Sequence, residues 1–309
     1  MGKELFYYFV YPGFLFIALS GGILSWFDRK ITAWVQFRKG PPFLQPFYDF
    51  LKLLLVKETI LPAKGSRITF LLAPILSVTG AMLAGILIML PAIGTNTGFT
   101  GDIIVIFYLL TIPSLTYIIG ALASGNPLAA VGASREMKLI ISYELTFLLV
   151  LAAVILKSGL SISMFDIIAL QQEGAFIGSI SGILLFVVII LTIQAKLGLV
   201  PFDMAEAETE ITHGSFIEYS GSAYALIKLT KYIMLFILPV FLCTLLLGGF
   251  RLDGIHILWS VLKVLGIVLL LTLIRNTNPR VKIAQAMRFF FIWMNLIAII
   301  AIVLILFGL

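Results

Sequence analysis

KLGLVPFDMAEAETEITHGSFIEYS, residues 196–220, lies between two apolar runs, IGSISGILLFVVIILTIQA (177–195) and AYALIKLTKYIMLFILPVFLCTLLL (223–247). Each run is long enough to cross a bilayer, which takes about 20 residues of helix. The segment between them holds Asp203, Glu206, Glu208, Glu210 and Glu218, five of the fifteen acids in the chain, against the single Lys196. An apolar–acidic–apolar pattern of this kind is that of a membrane protein that gathers carboxylates on one side of the bilayer. The rest of the chain agrees. It is 61% hydrophobic and 12% charged, and its mean hydropathy is +1.13. A soluble domain carries about twice that share of charge, because it must cover its surface. The fold class expected is all-α, a polytopic membrane protein read as one integral membrane domain over residues 1–309.

Outward from this segment, eight spans are expected: Leu5–Phe27, Ile68–Ile93, Ile103–Ala123, Leu139–Leu156, Ile177–Ala195, Ala223–Leu247, Ile255–Ile274 and Phe289–Phe307. Pro74 and Pro113 fall inside the second and third, where neighbouring groups can satisfy the freed carbonyls. The loops after spans one, three, five and seven carry 15 Lys and Arg residues, and the opposite side carries 3. The positive-inside rule places those odd loops in the cytoplasm and both termini outside. The net charge of +6 is thus a topology signal and points to no nucleic-acid partner. The lone Cys243 and the widely spaced His213 and His256 argue against a Cys-ligated cluster or a disulfide. No phosphate-binding glycine loop is present. The chain is expected to carry no cofactor or metal of its own.

The first cytoplasmic loop, 28–67, is basic, and its run Phe43–Glu58 reads as an amphipathic interfacial helix started by Pro41 and Pro42. The third loop ends in Arg135 and Glu136, with Glu144 about two turns further on inside span four. A carboxylate within a span usually faces a cavity or a partner, although one near the interface can reach headgroup water. Lys228 can snorkel. Lys231 and Lys263 lie deeper and call for a carboxylate or a wet cavity. In the acidic loop, 196–220, Asp203 and Glu206 have the spacing of a helix-capping box, with a short helix expected from about Met204 to His213. On such a helix Asp203, Glu206 and Glu210 share a face. Crowded carboxylates raise one another's pKa and can pass protons. A solvated loop that binds a basic partner remains the other reading.

Four motifs in order resemble one family. PFDMAEAETEI followed by EYSG, RKGPPFLQPFYDFLKL, GASREMKLIISYEL and PRVKIAQAMRFFFIW are similar to those of the NADH dehydrogenase subunit 1 family, the membrane subunit shared by respiratory complex I and energy-converting nickel–iron (NiFe) hydrogenases. The resemblance covers nearly the whole chain. It implies a non-catalytic junction subunit of a prokaryotic membrane complex. Such a subunit docks a peripheral module that holds the NiFe centre and iron–sulfur clusters, and starts a carboxylate path toward antiporter-like subunits. It assigns that path to Glu144, Asp203, Glu206, Glu208, Glu210 and Glu218. Arg135 and Glu136 match the charged end of the third loop. Arg38, Asp49 and Lys52 match the first-loop motif, which in complex I lines the quinone entrance. Gly40-Pro41-Pro42 and Met204-Ala205 depart from the quinone-reducing pattern and resemble the hydrogenase branch, which needs no quinone. Sulfur-reducing complexes share the subunit too. A stand-alone secondary transporter is the rival reading of another class.

Overall fold

The computed structural model describes residues 2–93, 101–172, 174–252, 254 and 256–308; the side chains of residues 2–5, 93, 208 and 209 lie outside the described part. The described residues are helical or in turns. In order come α1 (Gly2–Phe9), α2 (Phe14–Val35), α3 (Gln45–Leu51) running into a π turn at Lys52–Val56, α4 (Arg67–Met89), α5 (Asp102–Ala123), α6 (Pro127–Lys157) and α7 (Met164–Leu170). They are followed by α8 (Ile180–Lys196), α9 (Glu208–Ile211), α10 (Gly221–Leu246), α11 (His256–Thr277), α12 (Ile283–Arg288), a second π turn at Phe289–Met294 and α13 (Asn295–Leu306). Seven helical stretches are long and apolar enough to cross a membrane. The eighth expected span, α8, has 17 residues and is about 25 Å long at ~1.5 Å per residue.

Two expected boundaries shift for local reasons. The run Leu5–Phe27 is not one helix, because Pro12 lacks an N–H and, with Gly13, separates α1 from α2. α2 then continues eight residues past Phe27 and carries Asp28 and Arg29 into the bundle. Span four begins at Pro127 rather than Leu139. Asn126 caps α6 by accepting from the Leu128 N–H at 2.8 Å, and Pro127 fills the first helical position. Arg135 and Glu136 therefore stand on a helix, not in a loop.

α10 is the axis of the bundle. Every residue from Tyr232 to Leu246 is buried, against α2, α4, α8 and α11. Gly21 makes the α2 contact possible: a Cβ there would lie 2.2 Å from the Tyr232 carbonyl oxygen. Close approach of this kind is how small residues hold membrane helices together.

The odd loops meet at one end, bonded backbone to backbone and through side chains. Ser66 N–H donates to the Ala123 carbonyl at 3.0 Å, Val281 N–H to that of Pro201 at 3.2 Å, and Ile60 N–H to the Ser220 hydroxyl at 2.9 Å. The even loops meet at the far end. There Leu252 N–H donates to the Ala92 carbonyl, and Gln171 braces Thr244 and Gly248. The alternation expected from charge thus matches the way the loops gather.

Candidate functional site

Loop five is folded into the bundle. Phe202, Met204, Ala205, Ala207, Ile211, Phe216 and Tyr219 are buried. The Tyr219 ring stacks on Phe70 at 4.1 Å, and its hydroxyl donates to the Phe70 carbonyl at 3.1 Å. The turn Gly214–Phe216 lies against α6, where Gly132 leaves room: a Cβ at 132 would stand 2.5 Å from the Ser215 nitrogen. The expected helix from Met204 to His213 shrinks to the four residues of α9, ended by Thr212 and His213 at positive φ. A ten-residue helix has little stability of its own. Packing of Phe202 and Met204 into the core overrides it.

The capping box fails for the same reason. The Asp203 side chain pairs with Arg280 at 2.8 Å, and its backbone carbonyl accepts from Glu206 N–H in a turn. Asp203, Glu206 and Glu210 do not share a helix face. Each takes a different cation: Arg280, Lys231 and, at 2.6 Å, Arg135. Glu218 instead accepts from the Asn126 amide at 2.5 Å, which fixes the cap of α6. The side chain of Glu208 lies outside the described residues.

These pairs surround a cavity of about 470 Å³ lined by Arg29, Asp203, Glu206, Lys228, Lys231 and Arg280, among others. A smaller cavity beside it shares Gly198, Glu206 and Lys231 and adds Glu136 and Lys196. From there Lys196 reaches inward to Glu144, with its ammonium about 5 Å from the rings of Tyr143 and Phe147. The Lys196 side chain is fully buried. One Glu144 oxygen, Oε2, is buried without a hydrogen-bond partner among the described residues, as is Oδ1 of Asp203. Burial pushes the Asp203 carboxyl up, and the adjacent Arg280 only partly offsets it.

The first-loop residues divide. Partial burial alone would push the Asp49 carboxyl up, but hydrogen bonds from Arg29 (2.9 Å) and Gln45 (2.8 Å) outweigh it and hold the group below the usual carboxylate range. Arg29 also donates to the Tyr232 hydroxyl at 3.2 Å, so Asp49 is wired to the larger cavity. Arg38 and Lys52 are exposed on loop one and line neither cavity. Lys263 lies at the far end, donates to the Leu247 carbonyl, and lines a separate cavity of about 180 Å³. Among the described residues no group of three or more His, Cys, Asp and Glu is placed to hold a metal ion.

Sequence reasoning missed Lys196, which reads as the end of an apolar run, and the α2–α11 link from Asp28 to Thr272 (2.9 Å) and Arg275 (2.7 Å). Arg280 read only as part of the last loop. A basic residue closing an apolar run opposite a span carboxylate was the available signal for Lys196.

The profile of the NADH dehydrogenase family matches residues 9–306. A membrane-complex relative from Thermomicrobium roseum, a subunit of its NADH-quinone oxidoreductase, is 35% identical over 304 residues, 89% of this chain and 88% of that protein. The corresponding NADH-quinone oxidoreductase subunit of Burkholderia vietnamiensis is 32% identical over 295 residues, 88% and 82% of the two chains. Among solved structures, a chain of the membrane-bound sulfane sulfur reductase, an archaeal respiratory membrane complex, superposes with a TM-score of 0.87 at 27% identity, covering 98% of this chain and 99% of that one.

Proposed function

Because this chain belongs to the NADH dehydrogenase family, the multi-pass membrane subunits of complex I-like respiratory complexes, we propose that it couples a peripheral redox module to ion translocation in the energy-converting hydrogenase branch. The observation that carries this reading is the run of ion pairs from the 470 Å³ cavity, through Glu206 and Lys231, to Glu144 and Lys196. Glu144 lies 17 residues into α6, about 26 Å along it at ~1.5 Å per residue. In apolar surroundings a charge is costly unless paired, so a change at the cavity is felt by the next pair inward. The module, carrying a NiFe centre and iron–sulfur clusters, docks on the cytoplasmic face formed by the odd loops. Redox turnover there alters the charge near Asp203 and Glu206. Glu144 hands the change to antiporter-like neighbours, and Glu210, Glu208 and Glu218 hold or flank the folded loop. Both termini lie outside the cell.

The branch assignment rests on Gly40-Pro41-Pro42 and Met204-Ala205. The larger cavity supports it. Five Lys and Arg side chains line it, a poor setting for an apolar quinone. The sulfur-reducing reading is the second candidate, favoured by the superposition on the sulfane sulfur reductase over nearly the whole chain.

Two measurements test this. In the intact complex in vesicles, Glu144→Gln and Glu206→Gln should each lower the ions moved per electron; full coupling in both would sink the relay. Metal analysis of the gently extracted complex should give nickel with iron. Iron without nickel or quinone selects the sulfur-reducing reading, and bound quinone overturns the branch assignment.

A further inference from the structure

Glu136 has no part in the relay above, yet it lines the small cavity with Lys196, Glu206, Lys231, Ser114 and Tyr117. Both lysines already have carboxylates, Glu144 for Lys196 and Glu206 for Lys231. Three carboxylates therefore share two ammonium groups. The other charged groups nearby are committed elsewhere: Arg135 turns to Glu210, and Asp203 to Arg280. Tyr117 from α5 is neutral at ordinary pH, and Lys228 and His213 line only the larger cavity. One bound proton makes the cluster neutral, the favoured state for a group of charges withdrawn from water.

We propose that Glu136 holds this exchangeable proton and is the hand-over point between the loop-five carboxylates and Glu144, with Lys196 and Lys231 as its exchange partners. The proposal deepens the relay reading and rests on it. A lysine suits the role, because its ammonium is a point charge on a flexible four-carbon stem.

The step balances. The proton leaves the Glu136 carboxyl, and Lys196 moves from Glu144 to the new carboxylate. Glu144, released, takes the proton. Its Oε2, buried and without a hydrogen-bond partner among the described residues, is open to receive it. Three acids, two lysines and one proton are present before and after. On the intake side, Lys231 shifts from Glu206 to Glu136 in the same way. A proton from Glu206 then resets the cluster.

The test is infrared difference spectroscopy of the complete membrane complex on reduction, with ion transport per electron measured on the same vesicles. A protonated-carboxyl band is expected in the unaltered complex. It should vanish in Glu136→Gln and persist in Glu206→Gln, with coupling at least tenfold lower in Glu136→Gln. Lys196→Met leaves three acids facing one ammonium, so a second protonated-carboxyl band should appear. If Glu136→Gln does not assemble, Glu136→Asp should shift the band. An unchanged band in Glu136→Gln or Glu136→Asp, or no added band in Lys196→Met, overturns the proposal. If coupling falls in Glu144→Gln while Glu136→Gln keeps both band and coupling, the relay stands and the role of Glu136 is lost. If coupling survives in every variant, both are lost.

Discussion

Loops one and five meet at the same end of the bundle, and chemistry treats them oppositely. Loop five is net acidic, yet it lies inside: its apolar residues are buried, and Asp203, Glu206 and Glu210 each hold a cation from a helix or loop far away in sequence. Loop one is basic and stays outside. Phe37 is 99% exposed, and Leu55 and Val56 are 75% and 72% exposed, beside exposed Arg38 and Lys52. The acids are neutralised within the chain. The bases and their apolar neighbours face outward, toward lipid or another subunit. The interior part of the site is thus preorganised by this chain alone, while the docking part awaits what covers it.

The contrast can be broken most severely at Gly132. Gly132→Val would press a side chain onto the Ser215 backbone. Overpacking against atoms that cannot yield costs about 3 kcal/mol. Loop five should come loose, and hydrogen exchange over residues 199–220 should rise toward that of loop one. Arg280→Ala is the next step down. It removes the partner of a largely buried carboxylate, a loss of about 1–2 kcal/mol after allowance for the partly exposed guanidinium. Thermal denaturation of the complex would register it, and Arg280→Lys should recover part. On loop one, Asp49→Asn should cost about 0.5–1 kcal/mol, because both partners are partly exposed. The smallest effect on stability is expected from Arg38→Ser with Lys52→Ser. The denaturation temperature should hold, while the peripheral module dissociates more readily in salt.

Acid should separate the two loops as well. Asp49 titrates below its ordinary value in the folded chain, so its contribution is present above about pH 4 and disappears as pH falls through the folded value. Asp203 titrates above its ordinary value, so the folded chain binds that proton more readily. Between the ordinary and folded values its effect on stability runs the other way, improving as pH falls. Comparing acid stability of the Asp49→Asn and Asp203→Asn complexes checks the sign. Asn at 49 should flatten the acid loss, and Asn at 203 should steepen it.

How much of this was legible depends on distance along the chain. Apolar runs write themselves locally, so the spans and the gathering of odd loops were readable. The break at Tyr11-Pro12-Gly13 was also written in residue types but hidden inside an apolar run. The start of α6 was signalled by Asn126-Pro127 and overlooked because the helix continues, half polar, beyond the span. Pairings were not legible. Lys196 finds Glu144 across 52 residues, and Asp203 finds Arg280, only once helix rotation and crossing are set by contacts such as Gly21 against Tyr232. Loop five was misread for the opposite reason. Its local pattern suited a helix, and tertiary burial of Phe202 and Met204 decided otherwise.

The link between α2 and α11 has a consequence for how the chain is made. The Asp28 carboxylate is bonded to Thr272 and Arg275, 244 and 247 residues later. At translation rates of about 5–20 residues per second, α2 waits roughly 10–50 seconds for its counter-charge to be synthesised. Through that interval an acid at the end of a membrane helix must be sheltered by the insertion machinery or by headgroup water. Chains cut short before α11 would carry it unneutralised, a ready mark for quality-control proteolysis.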